Sequence, residues 1–292
     1  MQTDTLKRLI LTRRQAKVRR ENQQGKLIND ADIFHETIAA KIFPLNNSVQ
    51  VSNFILCGKQ EIFRVCKNCG KLEKFTYRCN IKWCPRCQWR VTQKRQQLIQ
   101  SWAKRIQQPK HLVTTQSNFP ILTRRTIREH VRNLARFRRR KVFKSVRGGC
   151  VSTEITNEGQ GWHLHAHWLL DVDWLDMAAV SQVWGKIVGQ NFASVKVKDV
   201  RASDYVAEIV KYLAKGSEIA SWAPEQINEF VTAIRGCRFF GSFGALRDLA
   251  PTIRAELLTS KPPPPMCECG ECSFDFSTER TEILREARSA KL

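Results

Sequence analysis

Hydrophobic and polar positions alternate most clearly between residues 151 and 170. Val151-Ser152-Thr153-Glu154-Ile155-Thr156 and Trp162-His163-Leu164-His165-Ala166-His167-Trp168-Leu169-Leu170 each read as a strand, and Asn157-Glu158-Gly159-Gln160-Gly161 supplies turn residues between them. The pair predicts a β-hairpin. A period of two sends His163, His165 and His167 to one face of the second strand, while Trp162, Leu164, Trp168, Leu169 and Leu170 mark it as half-buried.

The same reading places further elements along the chain. His111-Leu112-Val113-Thr114-Thr115 is short and β-branched, suited to a central strand that ends at Asn118-Phe119-Pro120. Across residues 123 to 147, Ile127, Val131, Leu134 and Phe137 recur at helical spacing with arginines between them. A helix is expected over Ala178 to Val188, then an alternating strand over Ser194 to Val200. Ser203 can cap and Gly216 can end another helix, on which Val206, Ile209, Val210 and Leu213 form the packing side. Tyr205, Glu208, Tyr212 and Lys215 fall along its other stripe. Arg238 to Gly244 reads as a closing strand with a glycine turn, and Pro262 to Pro265 as a stiff spacer. Strands and helices in this mixture predict an α+β fold.

Composition then narrows the partners. With 292 residues and 42% hydrophobic content the chain can bury a substantial core. A net charge of +22 creates a field that draws polyanions, so nucleic acid is the expected partner. The basic residues are spread along the whole chain and no apolar run is long enough to span a bilayer, which argues against a membrane partner. The first residues lack the apolar core of an export signal, and a reducing cytoplasm is the expected compartment. Residues 1–50 read as a basic arm, and Arg136, Arg138, Arg139, Arg140 and Lys141 crowd so closely that a phosphate backbone is their expected counter-anion.

Eleven cysteines, most of them in short paired spacings, point to metal ligation rather than to disulfides. Cys66-Lys67-Asn68-Cys69 and Cys84-Pro85-Arg86-Cys87 form two C-x-x-C knuckles, each offering two thiolates to one tetrahedral zinc ion. Cys79 lies between them and can replace one of the four. Residues 51–108 are therefore expected to form a zinc-ribbon-like DNA-binding module. Cys267, Cys269 and Cys272 in the tail, residues 251–292, fit either an incomplete metal site, to which Cys237 could contribute, or a solvated tail. The histidine strand suits a second, open site, because imidazoles together with Glu154 on the neighbouring strand make a mixed nitrogen and oxygen donor set. The competing reading is a polar strand face, as the competing reading of the tyrosine stripe is an amphipathic edge with Glu208 paired to Lys211 or Lys215.

A glutamate strand, a His-x-His strand and a helix bearing Glu-x-x-x-Tyr-x-x-Lys occur in an order that resembles the rolling-circle replication initiators of small bacterial plasmids. These belong to the HUH endonuclease superfamily. The similarity runs from Cys79-Asn80-Ile81-Lys82-Trp83-Cys84-Pro85-Arg86-Cys87-Gln88-Trp89-Arg90 through Leu112-Val113-Thr114-Thr115 to Ser242-Phe243-Gly244. The chain departs from the pattern at Ala166, where a bulky apolar residue is usual, and at Leu164, where proline is frequent.

The resemblance implies a central antiparallel sheet flanked by helices, with residues 109–250 as the endonuclease domain. It implies His165, His167 and Glu154, with His163, as ligands of catalytic Mn2+ or Mg2+. Tyr212 would be the single nucleophile, Glu208 the second catalytic acid, and Lys211 or Lys215 would offset phosphate charge. Tyr205 stands seven residues from Tyr212, whereas two-tyrosine relatives space them by four. The implied substrate is single-stranded or hairpin origin DNA, with host polymerase and helicase as partners in a bacterial cytoplasm. A transposase or relaxase would share such a site, and a non-catalytic zinc-ribbon nucleic-acid-binding protein is the alternative from another class. The spacing says nothing about oligomeric state.

Overall fold

The computed structural model describes residues 20–21, 27–28, 30–65, 72–106, 108–191, 193–199 and 215–259. Two short strands, β1 (Arg20–Glu21) and β2 (Leu27–Ile28), pair with each other and precede helices α1 (Asp30–Ile42) and α2 (Val49–Leu56). A second two-stranded sheet, β3 (Glu61–Val65) with β4 (Leu72–Thr76), leads into α3 (Pro85–Ala103). The remaining strands are β5 (Pro109–Thr115), β6 (Gly148–Asn157), β7 (Trp162–Asp171), β8 (Val195–Asp199) and β9 (Phe240–Phe243). They form one antiparallel sheet in the order β8-β5-β7-β6-β9. Around it lie α4 (Arg124–Arg138), α5 (Met177–Val188), α6 (Gly216–Ser221), α7 (Pro224–Ala233) and α8 (Gly244–Thr259). The α+β architecture with a flanked antiparallel sheet is the one the motif order implied.

Local chemistry sets the element ends. The Thr123 hydroxyl accepts from the Thr126 amide at 3.0 Å to start α4, and Asp176 accepts from the Ala178 and Ala179 amides to start α5. Gly189, at φ 74°, ends α5 in the left-handed region. In the β6–β7 turn Gly161 sits at φ 91°, and a Cβ there would lie 2.7 Å from the Phe119 carbonyl oxygen, so only glycine fits.

The two faces of the sheet have different loads. Leu112, Ala166, Trp168 and Leu170 point to one side and bury against Leu134 and Phe137 of α4 and Val180 and Trp184 of α5. Toward the hairpin turn the same side continues through Ile155, Trp162 and Leu164 into a cluster with α1, α2, α6 and α7. The opposite side buries Cys150 and Leu169 beneath Ile99 and Trp102 of α3 and Leu246 and Ile253 of α8. Truncating any of the fully buried tryptophans or phenylalanines here would cost about 3–5 kcal/mol.

Within residues 1–50, expected as a basic arm, the described helix α1 buries His35, Ile38, Ala39 and Ile42. Its Lys41 Nζ donates to the Ala220 and Trp222 carbonyls, both at 2.7 Å, satisfying the open end of α6. The cysteine-rich stretch also shares its core with the sheet, because Cys57, Cys79, Cys84 and Cys87 pack in the same apolar cluster as Trp162 and Leu164 of β7.

Candidate active site and metal centre

Antiparallel register builds the histidine face. β6 and β7 place Glu154 opposite His165, Thr156 opposite His163 and Ser152 opposite His167, so these side chains share one side of the hairpin. On the other flank of β7, Val113 of β5 lies opposite His167, which puts His111, two residues away, on the same side. Four of the six histidines of the chain thus lie on one sheet face.

The central contact is His167 Nε2 to Glu154 Oε2, 3.0 Å long, with both residues buried. A carboxylate accepts, so this nitrogen donates. The other ring nitrogen, Nδ1, then accepts from His111 Nε2 at 3.3 Å, and the two rings stack with centroids 5.5 Å apart. His165 turns its Nε2 toward the Thr156 hydroxyl at 3.2 Å, and its ring lies 4.1 Å from that of His163 and 6.2 Å from that of His167. Burial pushes the His163 imidazole below its ordinary range, opposed by the negative charge of Glu158. In the sequence His111 is marked only as part of a strand; the fixed register of that strand with β7 brings it here.

Imidazole and carboxylate donors on one face are a chemically suitable set for a divalent cation with open positions. Glu154 and His167 already meet, whereas His165 is engaged with Thr156. Glu218, on α6, adds a carboxylate that accepts from the Asn157 amide at 3.3 Å. Burial, with Glu154 and Glu158 nearby, pushes it up to about 7. Tyr205, Glu208, Lys211 and Tyr212 lie outside the described residues; Lys215 is exposed and stands at the N-cap of α6.

Cysteines make the tightest donor cluster among the described residues. Cys57, Cys79, Cys84 and Cys87 bring their sulfurs within 4.8 Å of one another. Cys57 Sγ is 3.5 Å from Cys87 Sγ and 3.8 Å from Cys84 Sγ, and Cys79 Sγ is 3.8 Å from Cys87 Sγ. Hydrogen bonds from Cys79, then Cys84 and Cys87, hold the Cys57 thiol far below its ordinary range, while the bond to Cys57 raises Cys84. Four converging sulfurs fit a tetrahedral zinc ion.

Among the described residues Cys84 and Cys87 are joined by Cys57 and Cys79, the latter expected as a possible ligand; Cys66 and Cys69, expected with them, lie outside the described residues. Cys57 ends α2 with no C-x-x-C spacing to mark it. A neighbouring network fixes its backbone: Arg86 donates to the Cys57 carbonyl, pairs with Asp32 at 2.6 Å and with Glu36 at 3.0 Å, and contacts His35 Nδ1 at 3.0 Å. His35 Nε2 in turn lies 2.7 Å from the Phe54 carbonyl oxygen. Cys237 is occupied elsewhere, donating to the Ala233 carbonyl at 3.5 Å, and the tail cysteines are outside the described residues.

Among the basic residues, Arg136, Arg139, Arg140 and Lys141 are exposed at the end of α4 and in the 3-10 turn after it, while Arg138 is half-buried against the Phe243 ring. None of the five pairs with a carboxylate among the described residues. No described helix is long and apolar enough to cross a membrane.

Residues 71–260 match the family model Rep_1, described as replication protein. No curated protein and no solved structure matches the chain. The matched span covers well over half of the sequence and includes the cysteine cluster from Cys79 onward, the whole histidine face and the tyrosine stripe. The protein therefore belongs to the replication protein family Rep_1 and is a rolling-circle plasmid replication initiator.

Proposed function

We propose that this initiator starts replication by nicking one strand of its plasmid origin with Tyr212. The tyrosine oxygen attacks a backbone phosphorus, the bond to the 3′ oxygen breaks, and the phenolic proton is balanced by protonation of the departing oxygen. The products are a 5′-phosphotyrosine link and a free 3′ hydroxyl that primes a host polymerase behind a helicase. The phosphate must be unstacked to be reached, so the substrate is single-stranded or extruded hairpin DNA.

The observation that carries this reading is the meeting of Glu154 and His167 at 3.0 Å on the face that also bears His163 and His165, in a chain of the Rep_1 family. Glu154, His165 and His167, with His163, would hold Mn2+ or Mg2+, which supplies Lewis-acid polarisation of the phosphate oxygens when bound. Glu154 fixes the His167 ring by its hydrogen bond, and His111 backs the same ring from the other side. Lys211 and Lys215 offset the phosphate charge. Arg136, Arg138, Arg139, Arg140 and Lys141 hold the DNA backbone. Zinc on Cys57, Cys79, Cys84 and Cys87 is structural, tying α2 and α3 to the sheet.

Glu208, one helical turn before Tyr212, activates the water or second strand end that releases the finished strand. Nicking and release measured separately on an origin oligonucleotide test this. Glu208→Ala is expected to form the Tyr212 adduct normally and to accumulate it; equal effects on both steps, or none on either, contradict the termination role.

A further inference from the structure

On the side of the sheet opposite the histidines, a cavity of about 280 Å³ opens between α4 and the edge strand β9. Its walls include Trp168, Phe239 and Gly241, with Arg138 and Arg238 among its lining residues and no carboxylate. Adjacent residues of β6 divide the two sites: Thr153 lines the cavity, and Glu154 belongs to the histidine face.

Cations crowd the strand that borders it. Arg138 lies over the Phe243 ring at 5.0 Å on the cavity's side of β9, and Arg95, from α3, over the Phe240 ring at 5.3 Å on the strand's other face. Arg138 also feels the charges of Arg139 and Arg247, and Lys82 those of Arg95 and Arg238. Of these, Arg247 alone has a carboxylate partner among the described residues, Asp248 at 3.2 Å. β9 pairs with β6 on one side and is the last strand of its sheet among the described residues, so its outer edge has no strand partner there. An aromatic and apolar recess with guanidiniums beside it, reached along an unneutralised cationic edge, matches a planar apolar ring carried on a phosphate.

We propose that this cavity binds one unpaired nucleotide of the DNA, the base seated against Trp168 and Phe239 and its phosphates held by Arg138 and Arg238. The inference rests on the DNA-nicking reading above and extends it: the nucleotide held here is not the one being cut, because the sheet lies between the two sites. The pocket fixes a flanking or displaced position, while the cationic edge of β9 leads the backbone from one face to the other. An extruded base gives the initiator a contact that a continuous duplex lacks.

Gly241 offers a clean test, since a Cβ there would meet nothing nearer than Val151 Cγ1 at 4.0 Å, so a larger side chain enters the cavity rather than the backbone. Affinity is measured by fluorescence anisotropy for a mixed-sequence single strand and for an abasic strand of the same length. The native protein is expected to prefer the base-bearing strand by about tenfold. Gly241→Leu should remove most of that preference and leave abasic binding unchanged. Arg238→Gln should weaken both strands and reduce the salt slope by about one. An undiminished preference in Gly241→Leu overturns the pocket. If that variant melts early, Gly241→Ala decides, because its methyl fits without displacement, and an unchanged preference there also overturns the proposal. Native protein that binds neither strand overturns the nicking reading and the pocket together, whereas native binding and nicking with an unaltered Gly241→Leu preference overturn the pocket alone.

Discussion

His167 is held between an acid and a second imidazole: its Nε2 donates to Glu154 at 3.0 Å, and its Nδ1 lies 3.3 Å from His111 Nε2. The arrangement fixes both tautomers. With Glu154 accepting, His167 carries its proton on Nε2 and His111 must donate to Nδ1. A cation at Nε2 would displace that proton, leaving Nδ1 protonated and His111 as its acceptor. His111 therefore serves either tautomer and keeps the ring aimed.

From this follows the first prediction. His111→Phe is expected to weaken Mn2+ binding about 10–100-fold, the usual scale for losing a residue that orients a metal-binding histidine. Titration calorimetry with Mn2+ checks it, and melting measured in parallel separates loss of aim from loss of fold. Unchanged affinity would remove His111 from the site.

Zinc content tests the cysteine cluster. Native protein is expected to carry one zinc at Cys57, Cys79, Cys84 and Cys87 by elemental analysis, and Cys57→Ser to lose it together with several kcal/mol of stability, since the ion contributes directly to folding. Cys66→Ser should retain the metal. Retention by Cys57→Ser and loss by Cys66→Ser would restore the two-knuckle set.

His130 predicts an acid limb in stability. It is fully buried on α4, its two ring nitrogens have no hydrogen-bond partner among the described residues, and its ring stands edge-on to Trp184 at 6.4 Å. Burial, with a smaller contribution from His165, pushes it down from 6.5 to about 3. The unfolded chain then binds the proton first. Stability should be full above the unfolded value and fall between 6.5 and about 3 by up to about 1.4 kcal/mol per pH unit. Denaturant melts across that range check it: His130→Leu should flatten this part of the slope and keep neutral-pH stability, since it also removes two unpaired polar atoms. An identical slope would show that His130 is not the titrating group.

Period-two alternation and glycine turns made the β6–β7 hairpin legible, because register follows directly from a buried face and a short turn. The strand over residues 111–115, the amphipathic α4 and the helix after Asp176 were legible for the same reason. Long-range placement was not. Cys57 has no local spacing that links it to Cys84, and His111 joins the site only because β5 pairs with β7. Nor could the polar-looking stretch from Asp30 announce that α1 would pack beside α6 and α7. These depend on chain crossings that periodicity does not encode.

The most direct measurement is the mapping of a covalent adduct. Protein incubated with a single-stranded origin oligonucleotide and Mn2+ is separated under denaturing conditions, and the modified peptide is sequenced by mass spectrometry. The account predicts a 5′-phosphate link on Tyr212 and a released strand ending in a 3′ hydroxyl, with no adduct in Tyr212→Phe, although that variant still binds DNA. An adduct undiminished in Tyr212→Phe, or one mapped to Tyr205, would contradict it.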